Sequence, residues 1–436
     1  MIAVVGTIVL FSAEARSADK PGEAPQASIQ TLIAQLGDKN FRIRQAAGKA
    51  LEERGEQALL ELRKSAENPD EEVRRRIEVL TQKIERSVLL SPKLVTLQYK
   101  DAATGDIIKE LARQTGYKLQ YQGGNARRLS IDMVNVTYWQ ALEKITNDIG
   151  LSPGFDEQQG IVYLSEQNTH SPYTYHSGPF RFVATNFNYN RYVNLANVPK
   201  NGPDPNNQYD NNLNFGFMIQ AEPKIAVLAV SPPRLSKADD EIGGSLLPRM
   251  HPNDQQFNVH YHDGNGLHRS FQHSTGTQMA KPAKEATRAK IVKGRVTVTL
   301  LSATKPDVEI DKLTVGKKKF SAIGQTAEVQ IEDIVEQNKV YTLTMKITRI
   351  AKNGEQDYNW INGVAQKMEL QDAKGRKYQS QGVTNFLNNT PTTVHATYQF
   401  IVPPNAEIGA PVKFVFNQWV TMAHELEFEF KDLPLP

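Results

Sequence analysis

Between residues 30 and 85 the apolar positions recur three and four apart. From residue 93 onward alternation in twos takes over, at first interrupted by two further helical stripes and later uninterrupted. Three helical segments are expected in the first part. Ile43, Ala46, Ala47, Ala50 and Leu51 form one stripe, which Gly55 ends as a C-terminal cap. Ala58, Leu59, Leu62 and Ala66 form a second, running to Asn68-Pro69. Val73, Ile77, Leu80 and Ile84 form a third, whose acidic start at Asp70-Glu71-Glu72 suits the positive end of a helix dipole.

The next stretch predicts a compact β-α-β-β-α-β-β unit. Leu94, Thr96 and Gln98 alternate against Val95, Leu97 and Tyr99 in a strand; Ile107, Ile108, Leu111 and Ala112 share a helix face that stops at Gly116. Strands at Leu119 to Tyr121 and at Leu129, Ile131 and Met133 follow. Thr137 and Gln140 then supply a capping box for a helix burying Ala141, Leu142, Ile145 and Ile149 and closed by Gly150. A final hairpin turns between Asp156 and Gly160. Beyond it lie strand-length runs such as "GFMIQAEPKIAVLAVSPPRLS", "GRVTVTLLSA", "AEVQIEDIVE", "VYTLTMKITRI", "TTVHATYQFIVP", "PVKFVFNQWV" and "HELEFEFKDLPLP". Strands in this number without intervening helices predict antiparallel sandwiches, with Phe428 and Phe430 facing a core, Glu427 and Glu429 facing out, and a turn around Asp372 to Gly375.

Two resemblances carry these patterns further. The wording "LIAQLGDKNFRIRQAAGKALEERGEQALLELRKSAENPDEEVRRRIEVL" resembles HEAT-type helical repeats, which implies a protein-binding helical surface. With little more than one helix pair, such a segment is expected to lean on another domain or a partner. The segment with Asp101-Ala102, Gly116, Ala141-Leu142 and Gly150-Leu151 resembles the short N-terminal domain shared by secretins and TonB-dependent receptors. That resemblance implies a periplasmic, non-catalytic unit working through protein contacts. A secretin or receptor would continue into a lipid-facing barrel; here long polar loops separate the later strands, so soluble β-structure is expected instead.

The expected fold class is therefore multidomain α + β. Residues 1–15 read as a signal peptide, 16–27 as a linker, 28–87 as the HEAT-like repeat and 93–165 as the short secretin-type domain. A β-rich domain at 176–275, a linker at 276–290 and a β-sandwich at 291–436 complete the chain. The signal rests on the apolar run at residues 2–13 and the Ala13-Glu14-Ala15 cleavage pattern; the run is too short to span a bilayer, so export without an anchor is expected.

Charge and composition narrow the chemistry. The 51 basic and 48 acidic side chains leave a formal charge of +3, which gives no field for nucleic acid, and the interleaving of Arg74, Arg75 and Arg76 with Glu71, Glu72 and Glu78 reads as a solvated helix face. The absence of cysteine excludes disulfides, thiolate metal sites and thiol nucleophiles. No G-x-S-x-G, P-loop, H-E-x-x-H or dinucleotide fingerprint occurs.

Five of the nine histidines lie between His251 and His273, and His260 and His262 would share a strand face. With His251, His268 or His273 as a third ligand they form a candidate zinc set, the alternative being a polar surface strand. Asp239, Asp240 and Glu241, and Asp263 with Asn265, are oxygen donors for calcium or for turns. Trp360, Trp419, Tyr189 and Tyr192 are candidates for stacking on sugar or for core packing, and Trp139 for packing.

The expected function is a non-enzymatic, periplasmic or secreted envelope component that holds protein partners, with no cofactor. The alternatives are a metal-binding module or metal-dependent hydrolase on the 251–273 segment, and a polysaccharide-binding protein.

Overall fold

A computed structural model describes residues 27–122, 127–156, 160–165, 171–191, 211–248, 269–350, 359–404 and 406–436. The signal and cleavage pattern expected at residues 1–15 lie outside the described residues. The chain divides into two compact units, Met1–Val88 and Leu89–Pro436. It is mostly β, with several antiparallel sheets, and among the described residues no helix is long and apolar enough to cross a membrane.

The first unit holds α1 (Ile29–Gln35), α2 (Phe41–Arg54), α3 (Glu56–Lys64) and most of α4 (Glu71–Leu90). Three of the four starts have a polar cap: Ser28 accepts from the Thr31 N–H, Asn40 from that of Arg42, and Asp70 from those of Glu72 and Val73, whereas α3 starts directly after Gly55. Val73, Ile77, Leu80 and Ile84 are all buried, as the third stripe requires. The first stripe differs from its expectation. α2 buries Ala47 and Leu51, while Ile43 is 39% exposed and Ala46 also faces outward. The reason is α1, a short helix absent from the expected three, whose Leu32, Ile33 and Leu36 occupy this core and turn α2.

The second unit begins with β1 (Leu94–Ala103), α5 (Thr104–Thr115), β2 (Lys118–Tyr121), β3 (Arg128–Thr137), α6 (Tyr138–Ile149), β4 (Ser152–Asp156) and β5 (Ile161–Ser165). β1 pairs antiparallel with β3; β5 lies between β2, which is parallel to it, and antiparallel β4. Gly116 and Gly150 end the two helices in the left-handed conformation, and the Thr137–Gln140 capping box is complete. Leu97, Ile107, Leu111, Trp139, Leu142 and Ile145 centre the core.

The remaining strands are β6 (Thr174–Ser177), β7 (Phe180–Arg191), β8 (Asn211–Ala221), β9 (Val227–Val230), β10 (Arg234–Asp240), β11 (Gln272–Met279), β12 (Arg288–Asp311), β13 (Phe320–Ile323), β14 (Ala327–Gln337), β15 (Val340–Arg349), β16 (Met368–Asp372), β17 (Gln379–Asn389), β18 (Thr393–Ile401) and β19 (Pro411–Pro434). They form three antiparallel sheets: β11-β8-β7-β6, β10-β12-β19-β16 with β9 also on β12, and β13-β14-β15-β18-β17. The middle sheet serves two cores. Phe182, Phe215 and Phe217 of the first sheet meet Val292, Phe428 and Phe430, and Val329, Leu343, Tyr398 and Phe400 of the third meet Ile310, Leu370 and Phe414.

The linker expected at 276–290 overlaps the end of β11 and the start of β12, and the regions on either side share a sheet, β9 and β10 of the first pairing with β12 of the second. β12 and β19, of 24 residues each, pair from Arg288 with Pro434 to Asp311 with Lys413 and so pass through both cores. The two runs expected near the C-terminus are a single strand because Thr421-Met422-Ala423 contains no breaker. Pro306, which has no N–H to pair, sits beside a register shift between Pro306 and Val308.

Candidate functional site

A buried polar seam joins α6 and the start of β1 to the first sandwich. Trp139 on α6 donates its indole N–H to the carbonyl oxygen of Pro179, at 3.0 Å. One helical turn further on, Glu143 accepts from Arg181 Nη2 at 3.0 Å; Arg181 Nη1 donates to Gln220 Oε1 at 3.1 Å, and its guanidinium lies 5.9 Å from the Trp139 ring. His176 Nε2 lies 3.3 Å from the other Glu143 oxygen without forming a hydrogen bond. Beside this group the fully buried Glu222 accepts from the Tyr117 hydroxyl at 2.6 Å and from the Lys93 N–H at 3.1 and 3.2 Å.

The electrostatics follow from burial. It pushes the Glu222 carboxyl above its ordinary range, against the opposing pull of Tyr117, Lys224 and Lys93. It also pushes the Tyr117 hydroxyl up, with Glu222 adding to the effect, so Tyr117 stays a donor. For His176 burial lowers the pKa and Glu143 opposes it. These groups are satisfied mainly by one another, though Tyr138 Oη and Arg181 Nε are buried without a hydrogen-bond partner among the described residues.

The helical unit carries a different feature, an open groove of about 930 Å³ between α2 and α4. Its floor is Leu36, Ala46, Gly48 and Leu80, beside Val79, which is 56% exposed. Two ion pairs cross from helix to helix: Arg44 with Glu72 at 3.9 Å and Lys83 with Glu52 at 2.7 Å. Glu72 also holds Arg76, at 2.6 Å. Arg74 turns away to the carbonyls of Asn68 and Pro69, whereas Arg75 lines the groove.

The sequence candidates fall elsewhere. His251, His260, His262, His268, Asp263, Asn265 and Tyr192 lie outside the described residues. His273 is buried on β11 with Nε2 3.1 Å from the Val227 carbonyl, and among the described residues no three His, Cys, Asp or Glu are grouped to hold a metal. Asp240 accepts from the N–H groups of Ile242 and Gly244 in the turn that follows it and from that of Ala283, and Glu241 accepts from Thr287, so both tie this turn to the residues just before β12. Trp360 is nearly buried and donates to Pro391; Trp419 lies under the Lys367 ammonium, at 4.9 Å. Sequence reasoning missed the seam. Its one local signal is the spacing of Trp139 and Glu143, which puts indole and carboxylate on one helix face.

No family model, curated protein or solved structure matches this chain.

Proposed function

We propose that this chain is a non-catalytic scaffold of the cell envelope, exported and working by holding protein partners, in part at a small module fixed on a stiff β body. The observation that carries the reading is the seam. Its ionisable groups face one another and not an opening, so their work is to fix the small module of residues 93–165 on the sandwich. The long strands β12 and β19 extend that fixity through the second core. The module's own free edge is partly closed: the Gln114 amide accepts from the Thr96 N–H at 2.9 Å and donates to its carbonyl at 2.8 Å, as a neighbouring strand would. Contact is therefore expected through helix faces more than through β1.

Chemical cross-linking of intact cells followed by fractionation tests this. The chain is expected in the envelope fraction, in adducts with other proteins; an adduct-free chain in the cytosol overturns the proposal.

A further inference from the structure

We infer that the α2–α4 groove docks an acidic amphipathic helix presented by a partner protein. The inference rests on the scaffold reading and names the chemistry of one of its surfaces. Six cations line the groove, Arg42, Arg44, Lys49, Arg75, Arg76 and Lys83, against the two carboxylates of Glu52 and Glu72. The carboxylates are engaged by Arg44, Arg76 and Lys83. Among the described residues the Arg42 and Arg75 side chains make no hydrogen bond or ion pair, and Lys49 reaches only Glu53, at 3.8 Å and in solvent. Unpaired positive charge therefore surrounds an apolar floor, and the complementary surface has apolar residues flanked by carboxylates.

The floor itself is unusual. Gly48 lies mid-helix in α2, where glycine is less favourable than alanine. Packing does not demand it: a Cβ there would meet only Leu80, at 3.8 and 3.9 Å, an ordinary contact. What its missing side chain provides is depth, so that another backbone can approach between the two crossing ion pairs. Those pairs bracket positions 44 to 52 of α2, about 12 Å of helix at 1.5 Å per residue, which sets the seat at roughly two turns of an incoming helix. Over two turns, apolar residues three and four apart reach Val79 and Leu80 while carboxylates on the flanks reach Arg42, Lys49 and Arg75.

The test uses the full chain and three labelled probes: a helical peptide of glutamates with leucines three and four apart, its lysine-for-glutamate counterpart, and inorganic polyphosphate. Binding is read by fluorescence anisotropy over a salt series. The glutamate peptide is expected to bind saturably and the lysine peptide not. Lys49→Glu with Arg75→Glu should weaken binding about tenfold or more, and added salt should weaken it further. Gly48→Phe should block binding with every charge in place; Gly48→Ala, which keeps the helix intact, should reduce it less.

Equal binding of both peptides, binding indifferent to Gly48→Phe in a folded chain, or polyphosphate binding without peptide binding would each overturn the inference. The scaffold reading is separable. If the groove fails while cross-linked adducts persist in the envelope, only the inference is lost; if adducts are absent as well, both are.

Discussion

Trp139 shows how much one side chain can carry in this chain. Trp139 is wholly buried and supplies both ring packing and one N–H for Pro179. Trp139→Phe keeps most of the packing and removes one of the two donors to that carbonyl, which retains the Glu222 N–H at 3.0 Å, so it should destabilise by about 0.5–1.5 kcal/mol in denaturant unfolding. Leu111→Ala empties part of the module's core and should cost about 2–5 kcal/mol, whereas Lys109→Glu, at an exposed pair with Asp106, should leave stability nearly unchanged by the same measurement.

Glu222 gives a pH signature. Its folded pKa is raised above the ordinary 4.5 by burial, so the stability it contributes is full below that value and is lost as pH rises through the folded pKa. The difference in stability between Glu222→Gln and the parent chain should therefore move in favour of the variant as pH rises across that window; a constant difference would contradict the assignment. His176 acts in the opposite sense. Burial holds its pKa below 6.5, so its contribution is present above 6.5 and is lost on acidification through the lowered value.

At the scale of elements, local chemistry was the most legible layer. Gly116, Gly150 and the Thr137–Gln140 box each mark a helix end within a few residues of sequence, and all three stand where they were expected. Thr137→Ala should accordingly lower stability by about 1 kcal/mol, checked by urea titration. Gly48→Ala should raise the helicity and stability of the helical unit by about 0.5–1 kcal/mol, because the position needs no glycine conformation. The stripe of α2 faces the core only in part, because Ile43 and Ala46 keep helical spacing on the side away from it while Ala47 and Leu51 are buried. Helical spacing fixes a face, but the neighbour that covers it is a tertiary fact.

The whole molecule was the least legible, for the same reason. Arg181 and Glu143 are 38 residues apart, Tyr117 and Glu222 105, and Lys93 and Glu222 129, so no local pattern announces the seam. The shared strands likewise join what alternation alone divides into two regions. Because β12 and β19 belong to both cores, the sandwiches should unfold together: Phe217→Ala in one and Phe400→Ala in the other should each cost about 3–5 kcal/mol and lower the same calorimetric transition. Two transitions responding separately would contradict that coupling.

Partners held at the surfaces of this chain would be captured by position-resolved photo-cross-linking in intact cells. A photoreactive residue is placed in turn at the exposed positions Val79, Lys109, Val134 and Phe386 of the full chain. Discrete protein adducts of reproducible mass are expected, confined to some positions and including Val79 in the groove. A folded chain in the envelope that yields no protein adduct at any of the four would contradict the scaffold reading.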